Sequence, residues 1–544
     1  MIKAKSHRRR RRLVPTLLGA LALLVSLSGG AQAAQAAPPP DPAGCSTDGL
    51  RSSLNIDGVT VDRAELNTTG TFAPAPGTES QFGGPFTDLP AYCDVTLTRT
   101  DTANNRITIK MWLPERWNGR FQGAGGGGFS CGINYGLMAT GVTTGYASAS
   151  TNCGHDNSWL DGKWVLKPDL TLDQPLLTTF ASTGIHEMTV TGKAVTNAYY
   201  AKKPAYSYFN GCSMGGRMGL MEAQRYPKDY DGITSGAPAV NQPQVLPSLI
   251  WPQLVMKEAN HLLPTCKQEA FTNAVVKACD RLDGVADGVI GAPADCRWNP
   301  NSLIGAKTAC GTITPKDAAV IAKIWQGPKV NGRFLGYGLE RGAPLSYLAV
   351  TTAANGALSG QPFSVGLDWL GSWVQRNPDW DWHTLTYDKF VQLIDQSVKE
   401  FPAFSTDDPD VSAFRNNGGK LVLWHGQADP LISSQGTVSY YQRVQQANGG
   451  ARATNSFARL FLAPGAGHCA NAAGPIPSDP LAAVVNWVEH GRAPATLPAT
   501  LTDPDTQKTT VTRRLCAYPL VARYKGHGDT ANARNYHCAA GYTH

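Results

Sequence analysis

The 544-residue sequence lacks the features that would indicate a membrane or a nucleic acid as partner. After residue 27 it has no apolar run long enough to cross a bilayer. The formal net charge of +7 is local, because residues 1–37 hold seven Lys and Arg residues and no acidic residue. The remainder is close to neutral and offers no electrostatic surface for nucleic acid or anionic lipid. We therefore expect neither partner, and we find no internal repeat.

Residues 1–37 are typical of an export signal. Lys3, Lys5 and the five arginines of residues 8–12 form a basic block, and residues 13–27 form an apolar stretch. Residues 31–33 (Ala-Gln-Ala) have the small-x-small form of a cleavage site. The apolar stretch is short for a bilayer span, which disfavours a membrane anchor. Twin-arginine export and general secretion are both compatible with this pattern, and we expect a secreted protein after cleavage.

The twelve cysteines all follow the export signal. An even number of cysteines in an exported chain favours disulfide bonds, because export leads to an oxidising compartment. The alternatives are buried thiols or a zinc site, and the absence of any Cys-x-x-Cys pair disfavours zinc.

Alternating strand and helix patterns flank a long segment of different composition. Apolar residues spaced by two predict a strand over 107–113, and apolar spacing along one helical face predicts a helix over 481–490. Residues 120–128 are predicted to run from a short strand into a glycine-rich loop. Further strands are predicted at 146–150, 206–209, from 233, at 420–424 and 460–463, and further helices at 186–200, 216–225 and from 314. We predict an α/β fold in which residues 38–241 and 418–544 form one sheet-containing domain and residues 242–417, rich in Trp, Pro and Gly, form an inserted lid.

Gly211-Cys212-Ser213-Met214-Gly215 has the form Gly-x-Ser-x-Gly, between a predicted strand and a predicted helix. This context is typical of the nucleophile elbow of an α/β-hydrolase fold, which exposes the serine hydroxyl at the carboxyl edge of the sheet. The Met214 amide, at the helix N-terminus, is a candidate donor to a developing oxyanion. The alternative interpretation is a glycine-rich strand–helix connection without catalytic function.

A nucleophilic serine needs a base and an orienting acid, which follow it in this fold class in the order Ser, Asp, His. Asp429 lies just beyond the predicted strand 420–424, and His468 lies in a glycine-rich loop after the strand 460–463. The competing histidine, His425, lies within a strand end, and we interpret it as structural. We predict Ser213 as nucleophile, His468 as base and Asp429 as the orienting acid.

Cys212 precedes the predicted nucleophile and Cys469 follows the predicted base. If Ser213 and His468 are in contact, these cysteines lie within bridging distance, so we predict a Cys212–Cys469 disulfide that holds the two loops together. A bridged Cys212 is unavailable as a nucleophile.

The motifs Cys212-Ser213, Asp429 and His468-Cys469, in this order, resemble the tannase and feruloyl esterase family, which includes mono(hydroxyethyl) terephthalate hydrolase. Residues 215–217, 222–227, 231–233 and 516–519 also resemble the family, so the resemblance runs from about Cys45 to Cys538. It implies a serine esterase with the cysteines bridged beside the triad. Residues 125–128, four glycines after an early strand, are expected to supply the second oxyanion donor, with Gly127 favoured over Gly126.

Residues 280–289 carry three acids and two glycines in one turn. From the residues alone, a calcium site and a simple Asp/Gly turn are both open. The resemblance implies a structural calcium ion, bound by the side chains of Asp280, Asp283 and Asp287 and the carbonyls of Val285 and Val289.

Cys279 and Cys296 bracket this loop and are expected to bridge. The resemblance implies the pairs Cys45–Cys93 and Cys516–Cys538, which leaves Cys131–Cys153 and Cys266–Cys310 by exclusion.

We therefore predict a secreted carboxylester hydrolase for hydroxyaromatic esters, either small or linked to a plant polymer, with no organic cofactor. A feruloyl esterase is the first interpretation, and a tannase or a terephthalate-monoester hydrolase is the alternative. The tryptophans of the insertion are expected to stack on the acyl ring, or else to build the core of the lid. A different class, a non-catalytic secreted protein that binds polyphenols or polysaccharides, is disfavoured by the intact triad motifs.

Overall fold

The structure, a computed structural model, describes residues 44–74, 83–354 and 357–541. The predicted export signal lies outside the described residues. Within the described part of the chain, no helix combines the length and apolar character needed to span a membrane.

The strands, numbered in chain order, are β1 Val59–Asn67, β2 Tyr92–Thr100, β3 Arg106–Pro114, β4 Arg120–Ala124, β5 Ala147–Thr151, β6 Tyr206–Cys212, β7 Gly232–Gly236, β8 Lys307–Thr308, β9 Gly311–Thr312, β10 Lys329–Val330, β11 Arg333–Phe334, β12 Thr351–Ala354, β13 Ala357–Gly360, β14 Lys420–Gly426, β15 Ala458–Ala463, β16 Ile476–Pro477, β17 Thr496–Thr502, β18 Thr509–Cys516, β19 Leu520–Tyr524 and β20 Tyr536–Ala540.

The α-helices are α1 Thr47–Ser53, α2 Tyr135–Thr143, α3 Gln174–Thr178, α4 Gly184–Tyr200, α5 Met214–Arg225, α6 Gln242–Ser248, α7 Trp251–Glu258, α8 Thr265–Cys279, α9 Pro315–Gln326, α10 Ser364–Asp368, α11 Tyr387–Glu400, α12 Ser412–Asn416, α13 Ser434–Ala447, α14 Gly450–Thr454 and α15 Pro480–His490.

Nine strands form the central sheet, in the order β1-β2-β3-β5-β4-β6-β7-β14-β15. The pairs from β1 to β5 are antiparallel, and those from β5 through β4, β6, β7 and β14 to β15 are parallel. Parallel neighbours bring their carboxyl ends to one edge, so the loops after β4, β6, β14 and β15 lie together. These loops carry the residues singled out in the sequence.

Helices cover both faces of the sheet. Phe209 of β6 packs in one buried cluster with Met218 of α5, whereas its neighbour Tyr208 packs in another with Val484 of α15. Because successive strand residues point to opposite faces, α5 and α15 lie on opposite sides. Gln122 of β4 pairs with Tyr208 in register, and α2 packs over this side of β4. Helices α2 and α15 therefore share one face.

The predicted elements are present, most of them with longer bounds, and the strand expected at 146–150 is observed one residue later, at Ala147–Thr151. The strand expected at 206–209 extends to Cys212, and the helix expected at 216–225 begins at Met214. The predicted helix start at Thr314 has a capping box, in which the hydroxyl of Thr314 accepts from the Asp317 amide and the Asp317 carboxylate accepts from the Thr314 amide. The α/β-hydrolase architecture is confirmed.

Residues 242–417 contribute no strand to the central sheet; they form α6 to α12 and the short strands β8 to β13. Three tryptophans of this segment, Trp251, Trp369 and Trp373, are almost completely buried. Trp369 and Trp373 stack on each other and on Phe129, which precedes the insertion. The boundaries proposed for the inserted lid remain a prediction.

Candidate active site

Ser213 lies in the tight turn between β6 and α5, with φ 63° and ψ −123°. A non-glycine residue in this region is strained, and such strain persists only where the surroundings hold it. A Cβ at Gly211 would lie 2.5 Å from the Gly215 carbonyl oxygen, so the turn closes only with glycine at that position. The motif therefore folds as a nucleophile elbow and exposes the Ser213 hydroxyl at the carboxyl edge of the sheet.

The three residues predicted to form a triad are hydrogen-bonded in sequence. His468 Nε2 lies 2.8 Å from Ser213 Oγ, and His468 Nδ1 lies 2.7 Å from Asp429 Oδ2. His468 follows β15 and Asp429 follows β14, which is why both side chains reach the elbow from one edge of the sheet. In this arrangement an imidazole can accept the serine proton while the carboxylate stabilises its charged form.

Asp429 is completely buried and accepts four hydrogen bonds. The backbone amides of Leu431 and Ile432 donate to Oδ1 at 2.8 and 2.9 Å, and the imidazoles of His468 and His425 contact Oδ2 at 2.7 and 3.2 Å. Burial alone would raise the pKa of Asp429, but the charge of His468 and the hydrogen bonds from both histidines hold it well below its ordinary value. Asp429 is therefore poised as an anion.

His425 is fully buried, as expected of a structural residue, but it contacts the orienting acid directly. Its other ring nitrogen lies 2.8 Å from Thr437 Oγ1. Nearby, the carboxylate of Glu340, from the insertion, accepts from the Ser434 hydroxyl. Burial raises the pKa of Glu340 to about 6, partly offset by the Ser434 hydrogen bond and the charge of His425. The sequence signal for this contact is the His-x-x-x-Asp spacing, which begins within the end of β14 and reaches Asp429 in the loop that follows.

The Cys212–Cys469 disulfide is present, with 6.0 Å between the two Cα atoms. It connects the residue before Ser213 to the residue after His468 and so fixes the two loops to each other. The other five predicted pairs are also joined: Cys45–Cys93, Cys131–Cys153, Cys266–Cys310, Cys279–Cys296 and Cys516–Cys538.

The glycine loop after β4 lies against the elbow. The Gly126 carbonyl accepts from the Gly215 amide at 2.9 Å, and a Cβ at Gly126 would overlap the Cys131 carbonyl. The Gly127 amide, the favoured oxyanion donor, donates to the Ser130 carbonyl at 3.1 Å. An amide that is already engaged is less suited to a new acceptor, which favours Gly126 as the donor; the assignment of the second oxyanion donor stays a prediction. The Met214 amide is in the first turn of α5, where amides have no intrahelical acceptor.

A cavity of about 1060 Å³ contains Ser213 and His468. On the side of the insertion its lining is apolar; the residues are Leu246, Leu249, Phe363, Val365, Leu431 and Ile432. We name these six residues the acyl arm. The insertion's tryptophans are not among the described lining residues, so the expectation that they stack on the acyl ring is wrong and they build the core of the lid. Phe363 and Trp159 are the aromatic side chains at this end.

Gln242, at the start of α6, also lines the cavity and is completely buried. Neither its amide nitrogen nor its amide oxygen has a hydrogen-bond partner in the structure. Leaving a buried amide without a partner costs about 1–3 kcal/mol, which makes Gln242 a candidate contact for a ligand of this cavity. Gln242 was not singled out in the sequence, because nothing local distinguishes it from a surface glutamine.

The acidic loop has donor atoms suited to a hard cation, but its carboxylates are engaged in hydrogen bonds within the loop and in one ion pair. Asp280 Oδ1 accepts from the amides of Asp287 and Gly288, and Asp287 Oδ2 forms an ion pair with Arg513 at 2.6 Å. Burial, and then the charges of Asp287 and Asp280, raise the pKa of Asp283 to about 6. Across the described ranges no three acidic, His or Cys side chains are gathered as a metal site. The donor chemistry fits calcium; ligation by all three carboxylates would require their rotation.

The fold and the chemistry of the site define a carboxylic ester hydrolase of the α/β-hydrolase type. The family profile described as tannase and feruloyl esterase matches residues 93–539. A "Probable feruloyl esterase" from Arthroderma benhamiae is 44% identical over 460 residues, covering 82% of this chain and 85% of the relative. The "Mono(2-hydroxyethyl) terephthalate hydrolase" of Piscinibacter sakaiensis is 31% identical, covering 83% and 85%.

Among solved structures, tannin acyl hydrolase from Aspergillus niger superimposes with a TM-score of 0.82 at 26% identity, covering 92% of this chain and 96% of that one. The chain belongs to the tannase and feruloyl esterase family.

Proposed function

We propose that this protein is a secreted serine esterase that hydrolyses hydroxycinnamate esters, that is, a feruloyl esterase. The observation that carries the proposal is the Ser213–His468–Asp429 hydrogen-bond relay at the floor of a cavity with an apolar acyl arm. Six disulfides support an oxidising, extracellular location.

In the proposed mechanism, Ser213 Oγ attacks the ester carbonyl carbon while His468 Nε2 takes the hydroxyl proton. The Met214 and Gly126 amides donate to the developing oxyanion. His468 then gives its proton to the departing alcohol, and the acyl group stays on Ser213. Water, deprotonated by His468, releases the carboxylic acid and restores the serine. Asp429, held as an anion, stabilises the imidazolium in both steps.

The chemistry of the acyl arm supports a phenolic ring that carries few polar groups. Its six side chains are apolar, and Gln242, which lines the same cavity, carries a buried amide donor and acceptor without a described partner. This suits the hydroxyl and methoxy substituents of a feruloyl ring better than the three hydroxyls of a galloyl ring. The positively charged side chains that line the described cavity lie outside the acyl arm. A terephthalate carboxylate bound in the acyl arm would therefore have no cationic partner. The name of the 44% identical relative agrees with this choice.

The proposal includes a structural calcium ion at the acidic loop. The carboxylates of Asp280, Asp283 and Asp287 and the carbonyls of Val285 and Val289 would hold it. Burial, and then the charges of Asp287 and Asp280, raise the pKa of Asp283, and a bound cation would offset both effects. The ion would stabilise the loop and take no part in the ester chemistry.

The test is hydrolysis of methyl ferulate and methyl gallate by the wild-type protein and the Ser213→Ala variant. We expect a higher kcat/KM for the ferulate, and a loss of at least about a thousandfold in the variant at an unchanged melting temperature. A fluorophosphonate should label the wild type and not the variant. Substantial activity in Ser213→Ala would refute the serine mechanism, and a preference for methyl gallate would favour the tannase alternative.

A further inference from the structure

The cavity that contains Ser213 does not end at the acyl arm. It continues between α2 and α15, which lie side by side on one face of the sheet. Gly136, Leu137, Thr140 and Thr144 line it from α2 and its C-cap, a spacing that places them on one helical face. Ala482, Val485, Asn486 and His490 line it from α15 in the same manner. We name this second part the helix channel.

The helix channel runs along one face of the sheet, parallel to β4, from the carboxyl edge toward the amino edge. Gln122, in the middle of β4, lines it, and so do Asn118 and Arg120 at the start of that strand. A five-residue strand is about 15 Å long. The channel therefore offers about that length of surface beyond the reacting serine, on the side away from the acyl arm.

The lining of the helix channel is mixed, unlike that of the acyl arm: Leu137, Ala482 and Val485 are apolar, and most of the other side chains that project into it are polar. Thr140, Thr144, Ser478 and His490 are exposed, and Asn486 is half-buried. These side chains are hydroxyls, an amide and an imidazole, which suit a polar ligand in contact with water.

The charged side chains that line the helix channel indicate which polar ligands it suits. The guanidinium of Arg120 is neutralised by a bidentate pair with Glu489, with two contacts of 2.6 Å. The Asp479 carboxylate caps α15 by accepting from the Ala482 amide. Arg120 is therefore not free to pair with an anion, and the Asp479 carboxylate, which has no ion-pair partner among the described contacts, repels one; both observations favour a ligand without negative charge.

We propose that the helix channel binds the alcohol part of the ester, as a neutral polyhydroxylated chain such as an oligosaccharide, while the acyl arm holds the acid part. The inference rests on the proposed function, because it places the scissile bond at Ser213 between the two. Binding energy from such a remote part of a substrate raises kcat/KM for long substrates and leaves a methyl ester unaffected.

Two exposed threonines of α2 provide a matched pair for the test. Thr140 lines the helix channel, whereas Thr143, one turn on, is exposed outside it. Thr140→Trp should obstruct the channel, and Thr143→Trp adds the same ring to the same helix elsewhere. Asn486→Trp obstructs the channel from the opposite wall and serves if Thr140→Trp does not fold.

The measurement is kcat/KM for methyl ferulate and for ferulate esterified to an arabinoxylan oligosaccharide. In the wild type we expect the oligosaccharide ester to be the better substrate. Thr140→Trp should lose about tenfold on this ester and retain its rate on methyl ferulate, and Thr143→Trp should retain both rates.

An equal effect of Thr140→Trp on both esters, or none on either, would overturn the helix channel as a subsite while leaving the esterase proposal in place. A stronger effect on a long alkyl ferulate than on the oligosaccharide ester would assign the channel to an apolar alcohol and also overturn the inference. A wild type that hydrolyses neither ester would refute the proposed function, and with it the inference.

Discussion

We expect the selection of the acyl ring to depend on the side-chain amide of Gln242. It is buried, without a described partner, and lines the same cavity as the apolar acyl arm. A site with an unpaired polar group rejects a ligand that leaves this group unsatisfied. A feruloyl ring can satisfy the amide, and a cinnamoyl ring, which has no polar substituent, cannot.

Replacing Gln242 by leucine should therefore reduce the preference for methyl ferulate over methyl cinnamate. The expected reduction in the ratio of kcat/KM values is about tenfold, since one buried hydrogen bond is removed at nearly constant volume. Methyl cinnamate is the internal control, because its ring makes no use of the amide. Equal losses on both esters would mean that Gln242 supports the fold and takes no part in selecting the ring.

The sequence alone was sufficient to predict the roles of Ser213, His468 and Asp429. It was insufficient to predict the contacts of Gln242 and His425. The first three stand in short motifs after strands, so local pattern and chain order identify them. The roles of Gln242 and His425 depend on which atoms surround them after folding. A missing partner for an amide, or a second imidazole at 3.2 Å from Asp429, is a property of packing between distant segments.

At the scale of elements, the strands and helices of the sheet were predictable because their apolar periodicity is strong. The positions that the insertion's tryptophans take in the folded protein were not predictable in this way. Trp369 and Trp373 are fully buried in a stack with Phe129, and composition alone does not separate a lid core from a ligand platform. The helix channel was likewise invisible, because it depends on the separation of α2 and α15, which are more than 300 residues apart in the chain.

The loops around the Cys212–Cys469 bridge give a prediction about catalysis. Cys469 has φ 57°, a strained conformation for a side chain other than glycine, directly after His468. Without the bridge, the backbone at position 469 can relax to negative φ and carry His468 away from Ser213. The Cys212→Ala/Cys469→Ala variant should fold but lose about a hundredfold in turnover on methyl ferulate, since small displacements of a base are costly.

A second bridge provides the control. Cys516 and Cys538 join β18 to β20 outside the described lining of the cavity. The Cys516→Ala/Cys538→Ala variant should lower the melting temperature and keep its turnover below that temperature. Unchanged turnover in a cooperatively melting Cys212→Ala/Cys469→Ala variant would show that the bridge does not position His468.

At the scale of the whole molecule, the acidic loop connects the insertion to the C-terminal strands. Asp287 pairs with Arg513 of β18, and the Arg523 guanidinium of β19 donates to the Leu282 carbonyl at 2.7 Å. The loop therefore contacts two strands, β18 and β19, that are distant from it in the sequence. Binding of the proposed calcium ion here is expected to stabilise the native state as a whole.

The stabilisation by calcium should depend on pH in a direction set by Asp283. Its pKa is raised in the folded state to about 6 from an ordinary value of 3.8. Between these values the native state holds a proton that the unfolded state has lost, so stability without calcium falls as pH rises through this window. Above pH 6 the cost of ionised Asp283 is fully present, and a bound cation removes it.

We therefore expect calcium to raise the melting temperature by a few degrees at pH 8 and by much less at pH 5. The measurement is a set of melting curves with chelator and with added calcium at both pH values. Asp283→Asn is the matched control: its amide stays neutral at both pH values, so any remaining calcium effect should be smaller than in the wild type and equal at pH 5 and pH 8. Turnover on methyl ferulate should not respond to the chelator at temperatures where the protein is folded, because the acidic loop is outside the lining of the cavity. A calcium effect of equal size at pH 5 and pH 8 in the wild type, or one that keeps its full size and pH dependence in Asp283→Asn, would place the ion elsewhere.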